Sequence, residues 1–309
     1  MHKLLILTIL IILSSSTQAA DITTGLVGYW KMDENSGTVA GNSSGDGNAA
    51  TLAGGTTWFS GYTNSDLNFD GVSGHVVLPN NLFSSTAGAI SLWVKVRSFG
   101  TKDYIWVYDN SDSPEFRILF LDGNLYFNGY DNGAYQFQFI TLFSDTSSWH
   151  HYLVTWQTND ARFYIDGVLM GSDTAVNVTH TNISTTNHLA GNYWRDGQLT
   201  YFKGQLDEVR LYNRVLTAGD VNTLYYCQPP TVVAQDWIID GNVLCSTNDM
   251  NITLKQNIGK NIDVRNGTLL IDSPTIIPIS SGNKVLIRWS PIKENWLWIR
   301  RGGQLLIRS

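Results

Sequence analysis

The chain predicts an all-β fold, two antiparallel sheets packed as a sandwich, and three observations carry that expectation. Short runs of alternating apolar and polar residues recur along Asp21–Tyr226, separated by Gly, Asn, Asp and Ser turns at the spacing of a sandwich. Aromatic residues make up 12% of the chain, and rings favour pleated, half-buried surfaces. With 309 residues, 43% of them hydrophobic, there is material for a packed core and room for two domains.

Taken in order, Met1–Ala20 reads as a secretory signal: His2 and Lys3 precede the apolar run Leu4–Leu13, and the small residues of SSSTQAA lead to a cut near Ala19 or Ala20. About ten apolar residues fall short of the roughly twenty needed to span a bilayer, so the mature chain is expected to be exported without a membrane span. Strand blocks follow at Gly25–Thr38 (GLVGYWKMDENSGT), Leu67–Pro79 (LNFDGVSGHVVLP) and Ile90–Lys95 (ISLWVK). Trp149–Trp156 and Arg162–Ser172 form two alternating strands joined by the polar turn Gln157–Ala161, with a tight turn at Asp166–Gly167. In Gly204–Tyr226 a strand with Leu206, Val209, Leu211 and Tyr212 as buried candidates runs into a helical segment. Thr217 caps its turn Ala218–Leu224 and Asp220 lies in the first turn. Trp30, Trp93, Trp149 and Trp156 are further core candidates.

Residues 227–236, with Pro229–Pro230, read as a linker, and 237–309 has another texture: Ile, Leu and Val runs broken by Asn and Gly. VRNGTLLIDS (Val264–Ser273) recurs about 36 residues later as IRRGGQLLIRS (Ile299–Ser309). Such repetition of short apolar strands predicts a parallel β-helix or solenoid, the alternative being an ordinary small β domain. Two coils are too few to protect their own ends, so the sequence is expected to belong to a longer surface protein or a shortened relative of one. Cys227 and Cys245 are the two cysteines, and in an oxidising compartment they can close one bridge at the domain junction.

The six sandwich blocks, in that order, closely resemble the laminin-G-like jelly roll of the concanavalin A-like lectin/glucanase superfamily. Trp237–Leu254 (WIIDGNVLCSTNDMNITL) likewise looks like the opening coil of exported right-handed β-helix proteins. The first resemblance implies a concanavalin A-like jelly-roll β-sandwich over 21–226 and says little about chemistry, because that fold hosts lectins, adhesins, sensor domains and glycosidases. Jelly rolls of this kind often hold a structural Ca²⁺ in loops, and hard oxygen ligands from separate loops suit that ion. Matching residue by residue, the resemblance implies Asp33 and Asp207 as ligands, with Asn35, Thr38 and Asp46 as weaker ones. The alternative is that these groups only cap turns. A second, pentraxin-like calcium location would fall at Asp109–Glu115 and Gly191–Gly197, where Asn192 and Asp196 are poor substitutes for the acidic cluster it needs.

A net charge of -6 and 15% charged residues supply no basic field for nucleic acid. Asp207–Glu208 invites a reading as a glycosidase pair, but adjacent residues of a regular strand point to opposite faces. The same divergence argues against His150 and His151 as a metal pair, and they are expected to be structural. Aromatic rings near loops are platforms for sugar rings. Tyr193, Trp194, Arg195 and Asp196 form one such cluster, and Tyr130 and Tyr135 another. Sequons at Asn42, Asn177, Asn182, Asn251 and Asn266 permit N-glycosylation. The expected function is therefore non-catalytic: a secreted or cell-surface recognition or adhesion protein binding glycan or extracellular protein. The alternatives are a targeting module of a β-helix polysaccharide lyase or hydrolase, or a structural envelope protein.

Overall fold

The computed structural model describes residues 22–45, 47–82, 86–100, 102–109, 115–131, 134–177, 186–193 and 200–226, and in the tail the strands at 237–240, 243–246, 262–265, 268–272, 297–299 and 304–308. The first strands are β1 (Leu26–Trp30), β2 (Val39–Ala40), β3 (Ala50–Ala53), β4 (Thr57–Ser60), β5 (Ser65–Asp70), β6 (His75–Val77), β7 (Ala87–Val96), β8 (Lys102–Asp109) and β9 (Glu115–Leu121). They are followed by β10 (Asn124–Asp131), β11 (Ala134–Leu142), β12 (His150–Gln157), β13 (Asp160–Ile165), β14 (Val168–Asp173), β15 (Thr186–Leu189), β16 (Gly191–Tyr193), β17 (Thr200–Tyr201), β18 (Lys203–Tyr212) and helix α1 (Ala218–Tyr226). The tail carries β19 (Trp237–Asp240), β20 (Val243–Ser246), β21 (Ile262–Arg265), β22 (Thr268–Asp272), β23 (Leu297–Ile299) and β24 (Gln304–Arg308).

Two eight-stranded sheets make the sandwich expected from the alternation. The first runs β14-β13-β12-β7-β18-β5-β4, with β1 also paired to β18, and the second runs β11-β10-β9-β8-β15-β6-β3-β2. Their pairings are antiparallel, as in the register Tyr152↔Leu92 and Val154↔Ile90. Every second residue of each strand faces the gap, so Ile90, Leu92 and Val94 of β7 meet Phe116, Ile118 and Phe120 of β9 in one apolar core. Trp30, Trp106 and Trp156 are fully buried there. Leu206, Val209 and Leu211 join the same core.

The opposite face of the first sheet is also covered, which the sequence reading did not foresee. Ala89, Leu153, Tyr164 and Tyr212 pack with Leu216, Val221 and Leu224 beneath α1, and Tyr62, Trp93 and Trp149 form a neighbouring aromatic cluster. Trp93, Trp149 and Tyr212 are buried as expected, yet outside the intersheet core, because period-2 alternation sends Trp93 away from Leu92 and Val94. The helix starts where its cap lies: Thr217 Oγ1 accepts from the Asp220 N–H (3.2 Å) while Asp220 Oδ2 accepts from the Thr217 N–H (2.8 Å). It extends two residues past the expected Leu224, to Tyr226.

The tail strands pair in parallel as two three-stranded sheets, β19-β21-β23 and β20-β22-β24. The register Leu269↔Leu305 superimposes the two sequence repeats, and Val243↔Leu269 adds a third strand that the repeat alone did not count. The signal segment, the 227–236 linker and Cys227 lie outside the described residues, and only the strand position of Cys245 is described, so the bridge is not tested.

Candidate functional site

The acidic corner at the end of the sandwich is built around a break in β18. Asp207 pairs with Trp93 and Arg210 with Ser91, so one residue too many lies between them, and Glu208 takes φ +54°. Such a bulge re-aims the side chains around it. The expectation that Asp207 and Glu208 point to opposite faces is therefore corrected: Thr63 donates its N–H to Asp207 Oδ2 (2.9 Å) and its hydroxyl to Glu208 Oε1 (3.4 Å). Gly61 makes the approach of that turn possible, since a Cβ there would stand 2.8 Å from Asp207 Oδ2.

The Glu208 charge at the corner is balanced by protein. Arg210 Nη2 donates to Glu208 Oε2 (2.6 Å), and the Tyr29 hydroxyl donates to the same oxygen (2.7 Å). The guanidinium also lies 3.9 Å from the centre of the Tyr29 ring. Burial, then the adjacent Glu208, hold the Asp207 carboxyl well above the usual carboxylate range. Its Oδ1 accepts the Glu208 N–H at 2.8 Å. Burial, the Glu208 charge and the opposing Asn64 bond leave Asp33 raised as well.

The expected calcium ligands are brought together only in part. Asn64 donates to Asp33 Oδ2 (3.2 Å) beside the Thr63 that holds Asp207, so the two aspartates flank one turn, and Asp33 Oδ1 is buried without a hydrogen-bond partner. An orphaned carboxylate oxygen of that kind fits a hard cation. Asn35 and Thr38 are exposed, and Asp46 lies outside the described residues. Among the described residues no group of three or more His, Cys, Asp or Glu side chains is placed to hold a metal ion. Most of both pentraxin-like stretches, 110–114 and 194–197, lies outside the described residues.

The second sheet carries the other candidate surface, on the face turned away from the core. Tyr130 and Tyr135 sit opposite each other at the end of the β10–β11 hairpin, ring centres 5.3 Å apart and edge to face at 73°. Tyr135 is 53% exposed and Ile140, farther along β11, 52%. Between them the register sets Arg117, Asn128 and Gln138 in one row across β9, β10 and β11. Arg117 Nε donates to Asn128 Oδ1 (3.1 Å), and Asn128 is buried. The sequence reading missed this row, whose signal is the polar residues alternating with Phe116, Ile118, Leu125, Phe127, Phe137 and Phe139. Nearer β8 the same face is closed by the buried cluster Tyr104, Val107 and Leu119. Tyr193 lies in strand β16, not in a loop as expected, and Trp194, Arg195 and Asp196 lie outside the described residues.

The two histidines diverge as the strand period requires. His151 is buried with Nε2 2.8 Å from Ser91 Oγ, and burial pushes it down to about 3, so it is neutral. His150 lies between two carboxylates, Nδ1 2.7 Å from Asp166 Oδ2 and Nε2 3.2 Å from Asp145 Oδ2. Burial pushes this imidazole down, but Asp166 and Asp145 together outweigh it and raise it above the ordinary value. A raised histidine stabilises the fold fully below the unfolded value of about 6.5, and that contribution is lost as pH rises through the higher folded value. A proton NMR titration is expected to find His150 above 6.5, and His150→Gln to remove this step from the stability–pH curve. A His150 titrating at or below 6.5 would refute the clasp.

The sequon at Asn42 is closed to modification in the folded chain. Its Oδ1 accepts from the Tyr29 and Ser44 N–H groups, and its Nδ2 is buried. No helix among the described residues is long and apolar enough to cross a membrane.

With this geometry in place, comparison with known proteins gives a coherent picture of the fold. Residues 69–222 match the family model described as the concanavalin A-like lectin/glucanases superfamily, Laminin_G_3. No curated protein matches the sequence. Among solved structures, domain 4 of AbnA, a GH43 extracellular arabinanase from Geobacillus stearothermophilus in complex with arabinotriose, is similar at 24% identity and a TM-score of 0.54, covering 65% of this chain and 98% of that one. The binding domain of botulinum neurotoxin DC in complex with SialylT is similar at 15% identity and a TM-score of 0.57, covering 70% of this chain and 54% of that one. The binding domain of the same neurotoxin with rat synaptotagmin II gives 15% and 0.57. The chain thus spans about half the length of the neurotoxin domains, and at these identities the likeness is one of fold.

Proposed function

We propose that this chain, a lectin-type jelly-roll sandwich over residues 69–222, is an exported, non-catalytic recognition module that binds glycan. The observation that carries the reading is the mutually braced pair Tyr130–Tyr135 at the end of the β10–β11 hairpin, Tyr130 half-buried and Tyr135 exposed. Rings fixed edge to face present apolar surface at little entropic cost, as a sugar face requires. Support comes from similar sandwiches whose structures hold arabinotriose or SialylT. A protein ligand is the second reading, favoured by the similar domain in complex with synaptotagmin. Attachment to a carbohydrate-active enzyme is a third, since one similar sandwich is a domain of an arabinanase.

A structural calcium at Asp33 and Asp207, a Cys227–Cys245 bridge and continuation of the parallel tail strands as a β-helix belong to the same proposal. The orphaned Asp33 oxygen supports the first and the parallel register supports the last. The test is a glycan and extracellular-protein array with the mature chain, run with calcium and with chelator. Wild type is expected to bind glycan, and the Tyr130→Ala, Tyr135→Ala double variant to lose about tenfold or more in affinity, about one to two kcal/mol for two stacked rings. Binding to proteins alone, or no binding, would overturn the glycan reading. A chelator effect on melting without an effect on specificity would make the calcium structural.

A further inference from the structure

Resting on the glycan reading, we infer that the outer face of the second sheet is an extended subsite for a neutral oligosaccharide, laid along the row Arg117–Asn128–Gln138. That row crosses three neighbouring strands, about 10 Å in all. On one side it is flanked by Tyr130 and Tyr135, and on the other by Tyr126 and Ile140, the next outward pair of the same register. Outward residues two apart on a strand are about 7 Å apart, so each flanking row stands one sugar ring's width from the polar one.

Chemistry and charge select the ligand class. The Arg117 side chain is tied through Nε to buried Asn128 (3.1 Å), which helps to fix the plane of its guanidinium. Gln138, half-buried in the same row, offers both a donor and an acceptor. Sugar hydroxyls also donate and accept, so they can pair with both Gln138 and the donor-only guanidinium of Arg117. An acidic glycan is disfavoured by the charge of the whole chain, -6. The nearest lysine of this face, Lys102, lies over the Tyr104 ring two rows away on the other side.

The test is calorimetric titration of the mature chain with arabinotriose, xylotriose, cellotriose and, as the acidic counterpart, trigalacturonate, at two salt concentrations. At least one neutral trisaccharide is expected to bind more than tenfold tighter than trigalacturonate, with little salt dependence. Gln138→Ala and Arg117→Lys are each expected to weaken it by about tenfold, the loss of one or two hydrogen bonds, with unchanged melting temperature as the folding control. If a glycan binds but neither variant weakens it, or trigalacturonate is preferred, the subsite is wrong while glycan recognition stands. Backbone amide shifts on titration that map to the Tyr130–Tyr135 end but not to Gln138 would also overturn the subsite alone. If no glycan binds here or on the array, both readings fall.

Discussion

Arg210→Met is expected to destabilise the sandwich by about 3–5 kcal/mol, because it leaves the Glu208 carboxylate buried and without its cation. Both side chains of this pair are 4% exposed, and their contact is 2.6 Å. The Tyr29 hydroxyl would remain as one donor to Glu208, too little to replace a guanidinium. The informative comparison is the double variant Glu208→Gln, Arg210→Met, which removes both charges while keeping an acceptor for Tyr29, and it is expected to recover most of the loss. Urea unfolding of the three proteins measures this directly. Equal stability of the single variant and wild type would show that the corner is not held by this pair, and failure of the double variant to recover would assign the effect to packing against Tyr29.

The second large effect concerns Asp66, fully buried in β5 opposite Phe59. Its Oδ2 accepts from Gln205 Nε2, Gln205 in turn accepts from Arg97 Nη2 (3.4 Å), and Oδ1 is buried without a hydrogen-bond partner. Burial raises its carboxyl to about 7, the Gln205 bond and the Arg97 and Lys95 charges opposing. The folded protein therefore holds a proton here that the unfolded chain releases near pH 4. Stability associated with this proton is fully present below that value and is lost as pH rises towards 7, on the order of 4 kcal/mol at most for a shift of this size. Asp66→Asn keeps an acceptor for Gln205 and cannot ionise. It is expected to be more stable than wild type at pH 7 and above, with a flatter stability–pH curve between 4 and 7. A variant no more stable at pH 8 than wild type would show that Asp66 is already ionised at no cost in the fold.

Much of the architecture was legible in the chain because it is local. Alternation in WHHYLVTW and RFYIDGVLMGS gave two paired strands, and Thr217 with Asp220 gave the start of the helix. The candidate site was legible only in fragments. Tyr130 and Tyr135 stood out as aromatic residues near a turn, whereas Arg117 and Gln138 were not singled out. Nothing in 117, 128 and 138 as numbers places them in a row, since that depends on how the β9–β10 and β10–β11 hairpins register and on a bulge between Gly129 and Tyr130.

By itself, then, the sequence determined an all-β chain, the inward side of segments such as Leu206, Val209 and Leu211 in β18, and the capped helix that closes the domain. The acidic corner was decided by the tertiary structure alone. Alternation assigned Asp207 and Glu208 to opposite faces, and the bulge at Glu208 turned both towards Thr63, which lies 144 residues from Asp207 in the chain. The physical reason is one of range. The side on which a residue emerges follows from its neighbours in sequence, but a register shift, a buried ion pair and the partners across a sheet exist only after distant strands have met.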